Sequence, residues 1–337
     1  MSEKIPALID KFGREINYAR ISITDRCDFR CVYCMSEDMK FEPRNELLSL
    51  EEIAQIGTSL SELGVRKLRI TGGEPLGRKN VMWLFEHLGG LENIRDLTIT
   101  TNGSQLPKMA RALAESGVTR VNISLDSLQP ERFKRITRTG DLDKVLDGIH
   151  AAADAGFKRV KLNTVAMKGR NDDELLDIVD FARNTGIDVV FIEEMPLGNT
   201  SNHDRQETYC SSDEVRSIIE QKYELIATTE NTGGPSRYFR MSDSDSRIGF
   251  ISPHSHNFCE SCNRVRITAK GLMLLCLGQE HSVDLREVLR EQGHASDAMI
   301  EQLKEVITKG IDLKPLGHDF DLSEQPIIMR HMNVTGG

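Results

Sequence analysis

Short apolar or β-branched stretches alternate with amphipathic stretches of helical period along the first two-thirds of the chain. Helix N-capping residue types, such as Ser49 and Asn171, precede several of the amphipathic stretches. This alternation predicts an α/β fold, in which a parallel sheet with helical crossovers is either open or closed into a barrel. The predicted strands lie near residues 17–24, 65–71, 95–101, 118–125, 158–166 and 187–194, and the predicted helices near residues 50–63, 79–90, 105–116, 141–155 and 171–185.

Unusual polar residues and glycines lie at or just beyond the C-terminal ends of the six predicted strands. In barrels and in open α/β sheets, this edge is where functional sites are built. The sequence therefore predicts one site that draws on all six strands. Its candidates are Cys27, Gly72-Gly73-Glu74, Asn102-Gly103, Ser124, Asp126, Asn163 and Met195.

The alternation of strands and helices ends after about residue 196. The stretch 198–212 is polar, and the stretch 228–247 is irregular and contains Gly-Gly-Pro and a run of alternating Ser and Asp. A boundary between these stretches predicts two domains, residues 1–227 and 228–337.

Composition excludes several classes of protein. The chain has 337 residues, 39% hydrophobic and 28% charged, as in ordinary globular proteins. No apolar run is long enough to span a bilayer, and the polar N-terminus does not read as a signal peptide. A net charge of −9 argues against nucleic acid as a partner. Seven cysteines without an export signal favour metal ligation in a reducing cytoplasm over disulfides.

Three of these cysteines, Cys27, Cys31 and Cys34, lie in the run T-D-R-C-D-F-R-C-V-Y-C. A four-iron cluster takes four ligands, so three thiolates leave one iron open to another molecule. The alternative is a zinc site that lacks one ligand. The C-x3-C-x2-C spacing resembles the signature of the radical S-adenosylmethionine (SAM) enzymes.

A glycine-rich turn, Thr71-Gly72-Gly73-Glu74-Pro75, follows the second predicted strand. Its glycines allow close approach of the backbone, and a carboxylate or backbone carbonyl there can accept from a ligand amino group. Alone, the pattern is more typical of a tight strand-to-helix turn. Together with the cysteine run, it resembles the SAM-binding segment of radical SAM enzymes.

A second triplet, Cys259, Cys262 and Cys276, has the spacing C-x2-C-x13-C. We interpret it as the ligand set of a second four-iron cluster with an open iron for a substrate. A zinc site completed by His254 or His256 is the alternative.

Two arginines, Arg264 and Arg266, alternate around Val265 beside this second triplet. In a strand, this alternation places both guanidinium groups on one face. Such a pair suits a phosphate-bearing ligand, although a solvated strand face has the same pattern.

Several motifs in one order carry a closer resemblance, from about residue 12 to residue 337. They are Arg20 before the first cysteine run, L-R-I-T-G-G-E-P-L, T-T-N-G, V-N-I-S-L-D, F-C-E-S-C-N-R-V-R and the terminal Gly336-Gly337. Together they resemble the GTP 3′,8-cyclase family of radical SAM enzymes, which begins molybdenum cofactor biosynthesis. The C-terminal triplet with R-V-R and the Gly-Gly end distinguish this family within the superfamily.

The resemblance implies an α/β fold of radical SAM type: an incomplete six-unit (βα) barrel whose open side is closed by a C-terminal cluster-binding region. It implies two [4Fe-4S] clusters and SAM as cofactors and GTP as substrate. A 5′-deoxyadenosyl radical formed from SAM would abstract the 3′ hydrogen of GTP, and the ribose radical would close onto C8 of guanine. The open iron of the second cluster would hold the purine.

The resemblance also implies residue roles. Cys27, Cys31 and Cys34 would hold the SAM-side cluster, and Cys259, Cys262 and Cys276 the GTP-side cluster. The implied SAM contacts are Tyr33, Gly73, Ser124 and Met195. The implied GTP contacts are Arg20, Arg69, Thr100, Lys161, Arg264, Val265 and Arg266. Five of these are cations, which would give an acidic protein a local site for an anionic substrate.

The C-terminal Gly336 and Gly337 would enter the active site and guide the radical step without ligating a cluster, whereas chain ends by default are frayed. One departure concerns Val190, where family members often carry an arginine. Cys210 fits neither triplet and is interpreted as an ordinary thiol.

The implied partners are a reduced flavodoxin- or ferredoxin-like electron donor and the next enzyme of the pathway, cyclic pyranopterin monophosphate synthase. A homodimer is compatible with the resemblance, and neither nucleic acid nor a membrane is expected. One rival interpretation is another two-cluster radical SAM enzyme, such as a peptide- or protein-modifying maturase, although these typically have more C-terminal cysteines. A non-enzymatic iron–sulfur electron carrier or a zinc adaptor is another, and neither would cleave SAM.

Overall fold

The computed structural model describes residues 7–198, 200, 203–291, 297–318, 320 and 328–336. Within this part of the chain, twelve strands form a single sheet. The strands are β1 (Tyr18–Ser22), β2 (Lys67–Thr71), β3 (Asp96–Thr101), β4 (Val118–Ser124), β5 (Arg159–Val165), β6 (Asp188–Ile192), β7 (Ile226–Ala227), β8 (Arg237–Met241), β9 (Ser244–Ile251), β10 (Arg264–Ile267), β11 (Leu272–Leu274) and β12 (Ser282–Asp284).

The helices fill the connections between strands and the C-terminal part of the chain. They are α1 (Leu50–Glu62), α2 (Val81–Gly89), α3 (Leu106–Glu115), α4 (Pro130–Thr137), α5 (Leu142–Asp154), α6 (Leu175–Thr185), α7 (Arg205–Thr208), α8 (Ser212–Glu220), α9 (Leu285–Glu291), α10 (Asp297–Ile311) and α11 (Met332–Thr335). Short 3-10 turns occur at Arg44–Glu46, Pro75–Gly77 and Asp172–Glu174. Among the described residues, no helix has both the length and the apolar character needed to cross a bilayer.

Strands β1 to β6 lie side by side in chain order, and all of them are parallel. Each is within about two residues of its predicted range, because the apolar stretches that predicted them are the buried faces of the strands. The predicted α/β fold with a six-unit partial barrel is therefore confirmed.

Later strands extend both edges of this six-stranded unit. Strand β10 pairs in parallel with β1, and β9 pairs in parallel with β6. Antiparallel strands complete the sheet, with β11 and β12 beyond β10 and β8 and β7 beyond β9. The sheet thus runs without a break from residues 1–227 into residues 228–337, and a division into these two domains stays a prediction.

Alternation along the strands separates the core from the interior of the partial barrel. In β1, Ala19 and Ile21 belong to the main hydrophobic core, while Tyr18 and Arg20 project from the opposite face of the strand. Leu68 and Ile70 of β2 belong to the same core. The barrel interior is therefore left to polar and charged side chains.

Strand β8 and the start of β9 lie in the stretch 228–247, which was predicted to be irregular, because their pairing at the sheet edge has no clear local pattern. Two local features of the six-stranded unit also differ from the sequence predictions. Helix α4 was not predicted, because its eight residues are too few for a clear helical period. Helix α6 begins at Leu175 and not at the predicted residue 171, since the Asn171 side chain donates to the carbonyls of Asp126 and Val165 (both 2.9 Å) instead of capping the helix. Ser49 does cap α1, in a reciprocal capping box with Glu52.

Candidate functional site

The first cysteine triplet lies at the C-terminal edge of the parallel strands and lines a cavity, which we call the first cavity. Every strand end from β2 to β6 also contributes to the wall, as the placement of polar residues in the sequence predicted. The predicted candidates that line it are Cys27, Cys31, Cys34, Tyr33, Gly72, Gly73, Asn102, Ser124, Asp126, Asn163 and Met195.

The loop that carries this triplet is held by the unpredicted helix α4. The backbone N–H groups of Arg30 and Val32 donate to the carbonyls of Thr137 (2.9 Å) and Ile136 (3.0 Å) at the end of α4. The rings of Phe29 and Phe133 meet edge to face, with centroids 5.9 Å apart. The end of α4 therefore fixes the cysteine loop, a role that only tertiary contacts reveal.

Burial is the largest influence on the three thiols of the first cavity. It raises the pKa of Cys27 and of Cys31 well above the usual range, and it raises the pKa of Cys34 to about 12. The nearby carboxylates of Glu74 and Asp126 push these values further upward. Thiolates in this setting require a bound cationic group, so the donor set fits an iron–sulfur cluster.

The Gly-Gly-Glu turn brings β2 against the cysteine loop. A Cβ atom on Gly73 would lie 2.3 Å from the carbonyl oxygen of Arg26, so any side chain there would displace the loop. The buried Glu74 carboxylate accepts from the N–H groups of Leu76 (2.9 Å) and Asn102 (2.7 Å) and from the Thr101 hydroxyl (2.8 Å). Burial raises the pKa of Glu74 to about 7. Because its carboxylate is engaged internally, the backbone of this turn is the part left for a ligand.

Three polar atoms in the wall of the first cavity have no hydrogen-bond partner among the described residues. They are Thr100 Oγ1, Asn163 Oδ1 and Asn333 Oδ1, all buried. Buried polar groups are rarely left in this state, which indicates that a polar ligand completes the cavity. Thr100, predicted as a GTP contact, lies in this first cavity with the SAM-side candidates.

The second cysteine triplet lines a second cavity together with the predicted cations. It contains Cys259, Cys262, Cys276, Arg20, Arg69, Lys161, Arg264, Val265 and Arg266. Asn163, Ile192, Met195 and Met332 line both cavities, so the two adjoin.

Strand register explains why the arginines of the second cavity converge. Arg20 of β1 lies between Arg266 of β10 and Arg69 of β2, and Tyr18 lies between Arg264 and Lys67 in the same two pairings. Residues paired in register project to the same face of a sheet, so these cations form two adjacent rows.

The cations of the second cavity are crowded and mostly lack counter-charges. Burial lowers the pKa of Arg20 to about 10 and that of Arg266 well below its usual value, and neighbouring arginines add to both effects. Within the described ranges, no carboxylate forms an ion pair with Arg69, Lys161, Arg264 or Arg266. Several buried cations without carboxylates make a site for a multiply charged anion.

The two histidines considered as zinc ligands contact other groups. The ring of His254 faces the carbonyl oxygen of Glu194 (3.0 Å), and that of His256 faces the carboxylate of Asp213 (3.1 Å). No group of three or more His, Cys, Asp or Glu side chains in the described residues is arranged to hold a lone metal ion. The rings of His254 and His256 thus have other partners, and the ligand set of this triplet stays a prediction.

The C-terminal segment lies at the junction of the two cavities. The N–H of Met332 donates to the carbonyl of Cys34 (3.3 Å), and the carbonyl of Gly336 accepts from Arg20 (3.2 Å) and Arg266 (2.5 Å). Gly336 has a φ of +75°, and a Cβ there would lie 1.9 Å from Thr71 Oγ1. Gly337, the other predicted tail residue, lies outside the described residues.

Known proteins share both halves of this arrangement. The model of the Radical SAM superfamily matches residues 21–182, and that of Molybdenum Cofactor Synthesis C matches residues 187–320. A GTP 3′,8-cyclase of Marinobacter nauticus is 57% identical over 330 residues, 98% of each chain. Those of Saccharophagus degradans and Pseudomonas putida are 55% and 54% identical and cover 98% and 100% of each chain. This chain belongs to the GTP 3′,8-cyclase family.

Solved structures support the radical SAM fold of this GTP 3′,8-cyclase family member. Streptococcus suis SuiB has a TM-score of 0.60 at 17% identity, covering 88% of this chain and 67% of its own. SuiB bound to S-adenosylmethionine has a TM-score of 0.60 at 16% identity, covering 95% of this chain and 78% of its own. At this level of identity, the likeness shows the fold alone.

Two predicted exceptions to the GTP 3′,8-cyclase family pattern have clear surroundings. Val190 is fully buried. Val190 and the ring of Tyr238 both pack against Gly249, since each lies about 3 Å from the point where a Cβ on this glycine would stand. The Tyr238 hydroxyl and the Lys161 ammonium are 3.3 Å apart. Cys210 belongs to the hydrophobic core at 1% exposure, as expected for an ordinary thiol.

Among the residues of the second cavity that sequence reasoning missed are two with ionisable side chains, Lys314 and His318. Both lie in the segment after α10, which has no strand-end position or cysteine spacing to mark it. No local signal could have identified them.

Proposed function

We propose that this chain converts GTP into (8S)-3′,8-cyclo-7,8-dihydroguanosine 5′-triphosphate with SAM, the first step of molybdenum cofactor biosynthesis. The observation that carries the proposal is the second cavity, in which the five predicted cations and a thiol triplet adjoin the first thiol triplet. A triphosphate needs cations, and a cluster with an open iron needs three thiolates.

In this proposal, the first triplet holds one [4Fe-4S] cluster and the first cavity holds SAM. When bound, the cluster supplies the electron for reductive cleavage of SAM. Tyr33, Gly73, Ser124 and Met195 contact SAM, and the buried wall excludes water from the reacting atoms. Tyr33 is oriented by its hydrogen bond to Asp126 (2.8 Å).

The second triplet holds the other [4Fe-4S] cluster in this proposal, and the cations orient the triphosphate. Guanidinium groups form paired hydrogen bonds with phosphate oxygens. These bonds fix the orientation of the ligand and also compensate its negative charge. Thr100 and Val265 stay proposed GTP contacts. Because the two cavities adjoin, a nucleoside held in the second presents its ribose toward the first.

Replacing either strand β10 arginine tests triphosphate recognition. Arg264→Ala and Arg266→Ala are each expected to weaken GTP binding, since each removes a charge-assisted contact worth about 1.5–3 kcal/mol, roughly a tenfold to hundredfold loss. Anaerobic equilibrium binding of GTP and of SAM measures this. Arg66→Ala, an exposed arginine before β2, is the control. Wild-type GTP affinity in both variants would mean that these arginines do not contact the substrate.

Substituting the described tail glycine tests the role of the C-terminal segment. Gly336→Ala is expected to lower cyclisation strongly while both clusters and SAM binding remain, because its Cβ would collide with Thr71. Product formation, iron content and SAM affinity are measured together. Gly186→Ala is the matched control, since Gly186 has a similar φ of +71° but nothing within 4 Å of its added Cβ. Wild-type cyclisation in Gly336→Ala would exclude a guiding role for the tail.

Anaerobic incubation of the reconstituted protein with SAM, GTP and dithionite tests the function directly. The expected products are 5′-deoxyadenosine and the cyclised nucleotide, identified by mass spectrometry. A peptide- or protein-modifying maturase would cleave SAM and leave GTP unchanged. An electron carrier would leave both SAM and GTP unchanged.

The proposal extends to partners. A flavodoxin- or ferredoxin-like protein would supply electrons, and cyclic pyranopterin monophosphate synthase would take up the product. We also propose a cytoplasmic location, supported by seven cysteines that suit metal ligation in a reducing compartment. A homodimer is compatible with the proposal.

A further inference from the structure

Lys314 is a fully buried lysine in the wall of the second cavity. It lies just after α10, and 1% of its surface is exposed. Its ammonium donates to the carbonyl oxygens of Arg264 (3.0 Å) and Leu275 (2.5 Å). Within the described residues, no carboxylate forms an ion pair with it. A charge removed from water in this way is costly unless an anion compensates it.

The groups in the same cavity wall that are able to carry that negative charge are the thiols of the second triplet. The Arg264 carbonyl oxygen that accepts from Lys314 lies 4.0 Å from the Cys262 sulfur, and the Leu275 carbonyl belongs to the residue directly before Cys276. The Lys314 ammonium is therefore held against the segments that carry Cys262 and Cys276.

The segment that follows Lys314 is held against the same triplet. A Cβ on Gly317 would lie 3.8 Å from Cys259 Sγ, and the Gly317 carbonyl lies 3.9 Å from Cys276 Sγ. The buried guanidinium of Arg14 donates to the carbonyls of Cys259 (2.8 Å), Pro315 (2.6 Å) and Leu316 (2.9 Å). Residues 314–317 therefore contact the segments of all three cysteines, and their position is fixed from outside by Arg14.

We propose that Lys314 is the charge partner of the second cluster and stabilises its reduced form. The inference rests on the proposed function, which assigns that cluster to Cys259, Cys262 and Cys276. Three thiolates give the oxidised cluster a net negative charge, and one-electron reduction adds another. A fixed ammonium beside the thiolates favours the more negative state, as charges and hydrogen bonds near cluster sulfurs do in general.

The alternative is that Lys314 binds the triphosphate as a sixth cation. Its hydrogen bonds argue against this, because its ammonium is directed to the backbone carbonyls of Arg264 and Leu275, beside Cys262 and Cys276. Four of the five cations proposed for the triphosphate instead project from paired strands β1, β2 and β10, and the fifth, Lys161, is on β5.

The test compares Lys314→Met, which has similar length without charge, with Lys314→Arg, which keeps the charge. Each is made in the full chain carrying Cys31→Ala, so that only the second cluster contributes to the spectrum. Potentiometric titration with dithionite, followed by electron paramagnetic resonance, gives the midpoint potential of that cluster. We expect a more negative potential in Lys314→Met and a potential close to the parent in Lys314→Arg.

The matched control is Lys309→Met, since the Lys309 side chain on α10 is 73% exposed and pairs with Glu305. It is expected to leave the potential unchanged. If Lys314→Met assembles no cluster while Lys314→Arg does, the dependence on charge is supported. SAM cleavage by Lys314→Met in the chain with an intact first triplet then checks folding, and its loss would overturn the proposal in favour of a general structural role.

If Lys314→Met has the same midpoint potential as the parent protein, this inference is overturned and the proposed function is not. If GTP binding is also weaker in that variant, Lys314 is a substrate ligand. Absence of iron from the Cys31→Ala parent, or zinc in its place, would instead contradict the proposed second cluster itself. The two failures are thereby distinguishable.

Discussion

Cys31→Ala is expected to reduce SAM cleavage to the uncatalysed background. Cys31 is the central cysteine of the first triplet, and its backbone carbonyl accepts from the N–H of Cys34 (3.0 Å), so the loop presents the three thiols as a unit. Two thiols cannot hold a four-iron cluster with only one open iron, and the cluster supplies the chemistry that the protein cannot. Anaerobic production of 5′-deoxyadenosine, measured by chromatography, is the readout.

Cys210→Ala is the matched control for this variant. Cys210 is a buried core thiol outside both cavities, and burial raises its pKa to about 11. Its replacement is expected to keep the full iron content and SAM cleavage. Wild-type 5′-deoxyadenosine production by Cys31→Ala would contradict the assignment of the first triplet to SAM chemistry.

Cys262→Ala is expected to abolish cyclisation of GTP while part of the SAM cleavage persists. Cys262 lies between Cys259, whose carbonyl accepts from the Cys262 N–H (3.1 Å), and the cations of β10. Losing this thiolate removes the cluster proposed to hold the purine, so the bound iron falls from about eight to about four atoms per chain. Iron analysis, 5′-deoxyadenosine and the cyclised nucleotide are measured on the same preparation.

Ser261→Ala serves as the control in the same loop, because Ser261 is exposed and lies outside both cavities. It is expected to behave as the wild type in all three measurements. Undiminished cyclisation by Cys262→Ala, or zinc in place of iron in the anaerobically prepared wild type, would show that the second triplet does not hold a substrate-binding cluster.

The features that sequence alone predicted are those with a repeating physical cause. The six parallel strands were predicted because each is buried on its outer face, and the cavity residues because strand ends meet at one edge. The alternation of Arg264 and Arg266 predicted one shared face, and both side chains line the second cavity. Local pattern therefore located both cysteine triplets and much of the wall of the first cavity, whereas Arg20, Arg69 and Lys161 of the second cavity were implied only by the family resemblance.

What the sequence could not predict depends on contacts between distant segments. Helix α4 is short, and its importance comes from carbonyls that meet the cysteine loop more than 100 residues away in the chain. Asn171 has a capping side chain, but the tertiary fold uses it to join β4 and β5 ends. Lys314 reaches the second triplet only because α10 ends there. In each case the sequence shows the residue but not the distant segment that it contacts.

The pairing of β10 with β1 has a consequence for biosynthesis of the chain. One edge of β1 stays without its partner until β10 emerges about 240 residues later, roughly 12 to 50 s at ordinary translation rates. The edge of β6 likewise stays unpaired until β9 has been synthesised. Unpaired edges promote association between chains. The nascent protein is therefore prone to aggregation until its last third has been synthesised.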